Sequence, residues 1–427
     1  MGVAFASTDP EEAEWSLDEL EALTDTAGAD VVDRMLQRRE SPHPASYLGK
    51  GKAHEVVDIA AAMDAGIVIF DDELTPAQGR NLEEIAGVNP LAERGLKIID
   101  RTGLILDIFA QHARSAEGKL QVELAQLNYR LPRLRGWGEV LSRMGGGIGT
   151  RRGPGETALE TERRAIVRRI RRVEKDLEDL TRTRRLKRKQ RVHSGLPVVA
   201  LVGYTNAGKS TILRRLSEAD VLIQDQLFST LDPTTRRLDV GNDRGFLLTD
   251  TVGFVRKLPH QLVEAFRSTL EEVNEATLLL HVVDANRDTD RQINAVNDVL
   301  IEIGAANKPV VLALNKSDLL TDDEIARLRT RFPEAVICSA QTGHGMNELL
   351  EAIGAALSRL RVEVELHIPF DRGDLVAKAH ERGDVLKETY SEAGTHLIAR
   401  IERESLGEFA SFLTSTNDAA ATASTRE

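Results

Sequence analysis

The sequence predicts a multi-domain α/β protein with a mostly parallel central sheet. Its 427 residues exceed the roughly 100–200 residues that form one domain. Short apolar strands alternate with helices of amphipathic spacing, as they do in α/β folds. One of these strands leads directly into a glycine-rich loop and then into a helix. Because 41% of the residues are hydrophobic and 29% are charged, the chain has the composition of a folded protein.

Five segments are expected along the chain. They are an N-terminal α/β domain that ends in a glycine-rich loop (1–157), a basic helical arm (158–194), a second α/β domain (195–361), a small α+β domain (362–413) and a tail (414–427). The tail is rich in Ala, Ser and Thr, which bury little apolar surface. We therefore predict that it is disordered.

The N-terminal domain is predicted from two short strands and two helices. Residues 66–70 and 96–99 are apolar runs of strand length. Residues 102–113 and 118–127 have apolar side chains three or four positions apart, which is typical of helices. Strands that alternate with helices in this way predict a small α/β domain.

The C-terminal domain is predicted from two alternating strands with a helix between them. Residues 362–368 place an apolar side chain at every second position, as a half-buried strand does. Residues 397–401 show the same alternation, and 375–379 are helical in pattern. The segment is therefore expected to form a small α+β unit.

The arm is predicted from a heptad pattern and a concentration of positive charge. Its apolar positions are Leu159, Ile166, Ile170, Val173, Leu177 and Leu180. This seam predicts a long helix that folds back on a second helix over 181–191. Residues 151–191 contain 16 Lys+Arg and 7 Asp+Glu, a local excess of +9 in a chain with a net charge of −12. The rest of the chain therefore carries −21.

Two interpretations of the basic arm remain open. Its arginines can form a solvated helix face, or they can contact RNA or another phosphate-bearing partner, because crowded like charges repel unless an anion screens them. Residues 145–155, with six glycines, likewise predict either a flexible hinge or a loop whose amides approach phosphates. The candidate RNA contacts are Arg151, Arg152, Arg184, Arg185, Lys187 and Arg188.

A nucleotide site is predicted where a buried strand, 197–202, precedes the pattern G-x-x-x-x-G-K-S and a helix, 212–216. In such loops, backbone N–H groups and the helix N-terminus surround the phosphates. Lys209 is expected to reach the β- and γ-phosphate oxygens, and Ser210 to bind Mg²⁺. The predicted loop residues are Gly203, Tyr204, Thr205, Asn206, Ala207, Gly208, Lys209, Ser210 and Thr211.

Two segments predict that the base is guanine. The strand 310–314 ends in the N-K-x-D pattern, which consists of Asn315, Lys316 and Asp318. A carboxylate at Asp318 can accept hydrogen bonds from guanine N1–H and N2–H₂, whereas adenine presents an acceptor at N1 and is repelled. A later strand ends at Ser339 and Ala340, where a backbone amide can donate to guanine O6.

Two further segments predict the switches that sense the γ-phosphate. The strand 246–250 delivers the D-x-x-G pattern, Asp250, Thr251, Val252 and Gly253. Asp250 is expected to hold Mg²⁺ through water, and the Gly253 amide to contact the γ-phosphate. Thr230 is the expected Mg²⁺-binding hydroxyl of the first switch, with Thr234 and Thr235 as alternatives; turn capping is the other interpretation of these hydroxyls. The expected catalytic residues are Lys209, Thr230 and Gly253.

One position departs from Ras-like GTPases, which carry a water-orienting glutamine after the D-x-x-G glycine. Here that residue is Phe254, whose side chain can neither donate nor accept a hydrogen bond. Slow intrinsic hydrolysis is therefore expected. His260 or Arg256 could order the attacking water, but a binding partner is the preferred source.

The cellular environment is predicted from the cysteine content, the length of the apolar runs and the first ten residues. The single cysteine, Cys338, cannot form an intramolecular disulfide, and we expect it to be a buried strand residue. The apolar runs are shorter than the roughly 18–20 residues of a membrane helix, and residues 1–10 do not resemble a signal peptide. A soluble, cytoplasmic protein that is monomeric in solution is expected.

Together these motifs resemble the HflX family of ribosome-associated GTPases, a relative of the Obg group. The resemblance extends over nearly the whole chain. It includes YLGKGK (47–52), IDRT (99–102), LILDIFA (104–110), GKLQVELAQL (118–127), the glycine-rich 145–156, GYTNAGKST, LFSTLDPTTR, DTVGF and LPHQLVEAFRSTLEEV. The N-terminal motifs distinguish this family from other GTPases. The start of this chain is short and acidic, so the first strand of the family domain is expected to be reduced to residues 2–5.

The resemblance implies a Mg²⁺-dependent GTPase that binds the large ribosomal subunit and its RNA and splits stalled ribosomes under stress. It also implies that residues 145–155 and the basic arm contact ribosomal RNA, and that a hydrophobic residue at position 254 is usual. Two other functions remain open. One is a nucleotide-gated protein that binds non-ribosomal RNA, and the other is an ATP-using RNA remodeller that acts through the N-terminal domain, although the sequence shows no second P-loop.

Overall fold

The computed structural model describes residues 4–5, 10–39, 41–87, 96–134, 154–192, 196–217, 228, 234–238, 245–257, 267–402 and 406–417. Two compact units account for these residues. The first holds the described residues up to Leu180 together with Phe228, Arg256, Lys257, Arg267 and Ser268, and the second holds the others. The predicted multi-domain α/β class is confirmed, while the five segment boundaries remain predictions.

The first unit alternates short strands with helices. Its elements up to the arm are β1 (Ala4–Phe5), α1 (Pro10–Thr26), β2 (Arg38–Arg39), α2 (Lys50–Ala62), β3 (Ile67–Phe70), α3 (Pro76–Ile85), β4 (Lys97–Asp100), α4 (Arg101–His112) and α5 (Ala116–Arg133). The side chains that precede α3, α4 and α5 each accept a backbone N–H from three residues further on, which stabilises the helix start. These caps are Thr75, Asp100 and Ser115.

The strands of this unit meet in two parallel pairs. β1 pairs with β2, in agreement with the short first strand expected at residues 2–5. β3 pairs with β4 in a register that places Phe70 opposite Asp100. The Tyr47 ring stands edge-on to Phe70, with 5.8 Å between the ring centres, in the core of this unit. Because β3 and β4 are parallel, the acidic residues at their carboxyl ends lie at one edge of the sheet.

The arm is a single helix, α6 (Pro154–Val192). The prediction that 181–191 fold back as a second helix is therefore wrong, since those residues continue α6. Two ion pairs join α6 to α5 instead: Arg169 of α6 donates to Glu123 of α5 at 2.5 Å, and Arg130 lies 3.8 Å from Glu162. The helix beside α6 is therefore α5, which precedes it in the chain, and not a second helix over 181–191.

The second unit contains a six-stranded sheet. Its elements are β5 (Val198–Gly203), α7 (Lys209–Ser217), β6 (Thr234–Leu238), β7 (Phe246–Asp250), α8 (Arg267–Glu275, which begins in the first unit), β8 (Leu278–Asp284), α9 (Thr289–Glu302), β9 (Val310–Asn315), α10 (Asp322–Arg331), β10 (Val336–Ile337) and α11 (Met346–Arg359). The strand order is β10-β9-β8-β5-β7-β6, and only the pairing of β6 with β7 is antiparallel. The carboxyl ends of β5, β7, β8 and β9 therefore point to one edge, where open α/β sheets bind ligands.

The C-terminal part of this unit is an antiparallel sheet in the order β12-β13-β11-β14. Its elements are β11 (Arg361–Ile368), α12 (Gly373–Arg382), β12 (Gly383–Ser391), β13 (Gly394–Glu402), α13 (Leu406–Phe409) and β14 (Leu413–Asn417). The tail that we expected to be disordered from Thr414 begins with β14, which pairs with β11, so that prediction is wrong for Thr414–Asn417. Residues 418–427 lie outside the described part. No described helix is long and apolar enough to cross a membrane.

Candidate nucleotide-binding site

The phosphate loop joins β5 to α7 and depends on two glycines in the left-handed region. Gly203 has φ 153°, and a side chain there would place Cβ 2.2 Å from the carbonyl oxygen of Val282. Gly208 has φ 95°, and its Cβ would lie 2.2 Å from Nδ2 of Asn315. Only glycine fits such approaches without strain. The loop is therefore packed directly against β8 and β9.

Lys209 is buried at the first position of α7. Its Nζ donates to the carbonyl oxygens of Gly203 at 3.1 Å and Tyr204 at 2.8 Å. Burial lowers the pKa of Lys209 to about 8, although the carboxylate of Asp250 opposes this shift. A phosphate beside this ammonium would stabilise its charged form.

Ser210 and Asp250 bring two oxygen donors together. The Ser210 hydroxyl donates to Oδ2 of Asp250 at 2.6 Å. Hydroxyl and carboxylate oxygens are the ligand types that Mg²⁺ prefers, and Mg²⁺ usually keeps several waters, so two protein groups suffice beside phosphate oxygens. The donor set present here fits the metal that the motifs imply.

The D-x-x-G segment is hydrogen-bonded to the phosphate loop. The Phe254 amide donates to the Gly203 carbonyl at 3.1 Å, and the Thr205 amide donates to the Phe254 carbonyl at 2.8 Å. A Cβ on Gly253 would lie 2.9 Å from Nζ of Lys209, so its backbone is next to the loop. The Phe254 side chain itself is buried. The main chain of this segment, rather than its side chain at 254, is available to the phosphates.

The predicted base-recognition residues form one connected group. Asn315 donates from Nδ2 to the Ala207 carbonyl at 2.8 Å and accepts at Oδ1 from the Ala340 amide at 2.9 Å. The Ser339 hydroxyl donates to the carboxylate of Asp318, which is an exposed residue. Asn315 therefore ties the phosphate loop to the two loops that are expected to contact guanine.

Lys316 forms an ion pair that the sequence did not predict. It adopts a left-handed conformation with φ 67°, and its Nζ lies 2.8 Å from Oδ2 of the buried Asp284. Asp284 ends β8 and is followed by no recognised motif. Its position at the carboxyl end of a fully buried strand was the available signal. This ion pair holds the Lys316 side chain over the end of β8.

Several predicted residues are placed elsewhere or lie outside the described part. Thr230 is outside it, as are Arg151 and Arg152. The alternatives Thr234 and Thr235 lie on β6, and the Thr235 hydroxyl is 3.0 Å from that of Thr249. The remaining RNA candidates lie on α6, where only the backbone is described: Arg184, Arg185, Lys187 and Arg188.

The buried titratable groups near the site, His281 and Cys338, have structural roles. His281 lies on β8, and burial, together with nearby Lys209, lowers its pKa to about 4, so it is neutral. Burial raises the pKa of the Cys338 thiol to about 12, which makes it an unreactive core residue, as expected. Arg256, one of the two alternatives for ordering water, is bound to Glu12.

Comparison with known proteins covers most of the chain. Residues 198–316 match the family described as 50S ribosome-binding GTPase. Residues 14–110 and 112–191 match the families described as GTP-binding GTPase N-terminal and GTP-binding GTPase Middle Region.

The relatives found by sequence align over most of their own length. GTPase HflX of Lacrimispora saccharolytica is 46% identical over 403 residues, which cover 94% of this chain and 93% of the relative. GTPase HflX of Escherichia coli K12 is 46% identical over 383 residues, 89% of this chain and 88% of the relative. A GDP-bound GTP-binding protein from Sulfolobus solfataricus is 24% identical, with a TM-score of 0.40, over 84% of this chain and 99% of that one. The chain belongs to the HflX family of GTPases, and its activity is the hydrolysis of GTP to GDP and phosphate.

Proposed function

We propose that this GTPase binds the large ribosomal subunit, splits or rescues stalled ribosomes under stress, and hydrolyses GTP faster when it is bound there. One observation carries the proposal. The phosphate loop, the D-x-x-G segment and the base-recognition group are all assembled, yet the position that orients water in Ras-like enzymes holds the buried Phe254. We assign the missing water-orienting group to a partner rather than to His260 or Arg256, and the similarity to a family described as ribosome-binding supports the ribosome as that partner.

In the proposed mechanism, water attacks the γ-phosphate while this chain stabilises the developing charge. Lys209 and the amides of the phosphate loop supply this stabilisation, and the Gly253 amide and Thr230 sense the γ-phosphate. Ser210, Thr230 and, through water, Asp250 would hold Mg²⁺, which would supply positive charge beside the phosphate oxygens. Guanine selection is assigned to Asp318, Ser339 and Ala340.

The basic arm is the proposed contact to ribosomal RNA. In the part of α6 whose side chains are described, Arg168, Arg171, Arg172 and Lys175 are all exposed. Exposed cations on one long helix can contact several phosphates and release their counterions. The candidates chosen from the sequence, Arg151, Arg152, Arg184, Arg185, Lys187 and Arg188, extend this basic region along the chain.

The test is the GTP hydrolysis rate of the purified protein, alone and with isolated large subunits. Alone, we expect roughly 10⁻⁴ to 10⁻² s⁻¹, the range of unassisted P-loop GTPases, and a rise of about tenfold or more with large subunits. Small subunits at the same concentration are the control. Sucrose-gradient analysis of intact ribosomes with a GTP analogue then shows whether subunits separate.

An unchanged rate with large subunits would refute the proposed activation. A rise with free RNA instead would favour the RNA-binding alternative. The ATP-using alternative predicts ATP hydrolysis that survives Asp318→Asn, because that substitution removes only the carboxylate assigned to guanine.

A further inference from the structure

A cavity of about 400 Å³ lies within the first unit, between the helices α3, α4 and α5 and beside β4. All of its lining residues fall within 74–133, so one compact unit forms it. Its volume is within the range of small-molecule sites, about 300–1,000 Å³. The cavity shares no lining residue with the nucleotide-binding site of the second unit. It is therefore a candidate site of its own.

Arg80 of α3 contributes an unpaired cation to the lining. Its Nε is buried and has no hydrogen-bond partner, and no described residue forms a hydrogen bond or ion pair with its guanidinium. A guanidinium cannot be deprotonated in proteins, so Arg80 keeps its charge despite this burial. A buried donor without a partner is destabilising. The acceptor that would satisfy Arg80 is thus not supplied by the described part of the chain.

Glu83 contributes an unpaired anion one helical turn after Arg80. Residues three positions apart lie on the same side of a helix, and both of these residues line the cavity. No group in the described ranges donates a hydrogen bond to Glu83. Burial raises the pKa of its carboxyl, although Arg133 and Arg80 oppose this shift. A positively charged donor beside Glu83 would stabilise the carboxylate.

The other two arginines of the lining already have partners. Arg133 pairs with Asp100 at 2.8 Å, and its guanidinium carbon lies 3.5 Å from the centre of the Tyr129 ring. Arg130 is exposed and lies 3.8 Å from Glu162. Arg80 is therefore the cation of the lining that is left for a ligand.

A second carboxyl restricts the charge that a ligand can carry. Asp107 of α4 also lines the cavity, and burial raises its pKa against the opposing effect of Lys97. Arg80 thus stands beside two carboxyl groups without hydrogen bonds, Glu83 and Asp107. These carboxylates would repel a ligand with several negative charges, such as a polyphosphate. A ligand with one anionic and one cationic group matches the lining.

Apolar side chains form the rest of the lining. They come from three parts of the unit, with Leu74 before α3, Ile98 on β4 and Leu106 on α4. Small-molecule sites usually combine such apolar walls with a few polar groups that fix the orientation of the ligand. The ligand is therefore expected to carry an apolar part as well as its two charges.

We propose that this cavity binds a free α-amino acid with an apolar side chain. The α-carboxylate accepts hydrogen bonds from Arg80, and the α-ammonium donates to Glu83. The side chain packs against Leu74, Ile98 and Leu106. Each charge of the ligand then pairs with a charge that the described protein leaves unpaired, which is how charges are tolerated in partly buried sites.

The test is isothermal titration calorimetry of the full-length protein, saturated with GDP, with L-leucine as the probe. Leucinamide lacks the carboxylate and 4-methylpentanoate lacks the amine, so these analogues show whether both charged groups are required. The variants are Arg80→Gln, Glu83→Gln and Arg80→Lys, which keeps the positive charge. Arg327→Gln, which removes an exposed arginine of α10, is the matched control.

We expect leucine to bind at one site per chain, and both analogues to bind at least about tenfold more weakly. Arg80→Gln and Glu83→Gln should each weaken leucine binding about 10- to 150-fold, because each removes hydrogen bonds to a charged group. Arg80→Lys should retain more affinity than Arg80→Gln, and Arg327→Gln should bind normally. Without leucine, Arg80→Gln should leave the thermal midpoint unchanged or raise it, whereas a purely structural Arg80 predicts a lower midpoint.

The proposal is overturned if leucine does not bind at millimolar concentration, or if its affinity is unchanged in both Arg80→Gln and Glu83→Gln. Equal binding of leucinamide or 4-methylpentanoate would also overturn it. ATP or inorganic phosphate that binds more tightly than leucine, and loses this binding in Arg80→Gln, would show a phosphate site instead. Ribosomes are absent from these measurements, so the outcome is independent of the proposed ribosomal function.

Discussion

Asn315→Ala tests whether one side chain joins the phosphate loop to the base-recognition loops. Asn315 is buried, with Nδ2 2.8 Å from the Ala207 carbonyl and Oδ1 2.9 Å from the Ala340 amide. Removal of the amide leaves both backbone groups without these bonds. Each buried group that loses its partner costs about 1–3 kcal/mol, so the expected loss is about 2–6 kcal/mol. Both loops contribute to the site, and we expect GDP affinity to fall together with stability.

Stability is measured by urea unfolding of the nucleotide-free protein, monitored by far-UV circular dichroism. GDP affinity is measured by titration with fluorescent GDP. The exposed Asn347 on α11 supplies the matched control Asn347→Ala, which should change neither value. Asn315→Asp keeps an acceptor for Ala340 but places a carboxylate oxygen against the Ala207 carbonyl, so it should also weaken binding. An Asn315→Ala protein with an unchanged urea midpoint and unchanged GDP affinity would refute this reasoning.

Three further changes test the same site. Asp318→Asn should weaken GTP binding about 10- to 150-fold, because it removes hydrogen bonds to a charged group, and it should have little effect on thermal stability. Unchanged GTP affinity in a titration would contradict the role of Asp318. Gly208→Ala should abolish GDP binding, because the Cβ of the new alanine would lie 2.2 Å from Nδ2 of Asn315. Normal GDP binding measured by calorimetry would exclude this clash. GDP affinity should fall by up to about tenfold per pH unit above pH 8, because the pKa of Lys209 is lowered to about 8 before phosphate binds. The same depressed pKa means that stability of the nucleotide-free fold rises as pH increases from about 8 towards the ordinary lysine pKa; a flat urea midpoint over that range would contradict it.

Local patterns predicted most strands and helices closely. The strand expected at 66–70 is Ile67–Phe70, and the strand expected at 362–368 is Arg361–Ile368. Apolar alternation and glycine placement operate over a few residues, so they can be recognised without the fold. The edge strands β12 and β14 were not predicted. β12 exposes Leu386 and Tyr390, and β14 is the polar run LTSTN, so neither has a clear apolar alternation, and both are recognised by backbone pairing with their neighbours.

The arm shows how one pattern can fit two partners. Its apolar seam required a neighbouring helix, and residues 181–191 and α5 were both near enough in sequence. The seam alone carries no information about which helix covers it. The ion pair between Arg169 and Glu123 shows that α5 lies beside α6, while 181–191 continue the same helix.

The sequence by itself determined the chemistry of the nucleotide site, because the phosphate loop, the D-x-x-G segment and the N-K-x-D motif are each contiguous and each follow a strand. Only the tertiary structure decided which distant residues meet. Asn315 bonds to Ala207, 108 residues earlier, and Lys257 bonds to Asp71, 186 residues earlier. Such pairs depend on the packing of the complete fold, since the entropy lost in closing so long a loop is offset only by many contacts formed together.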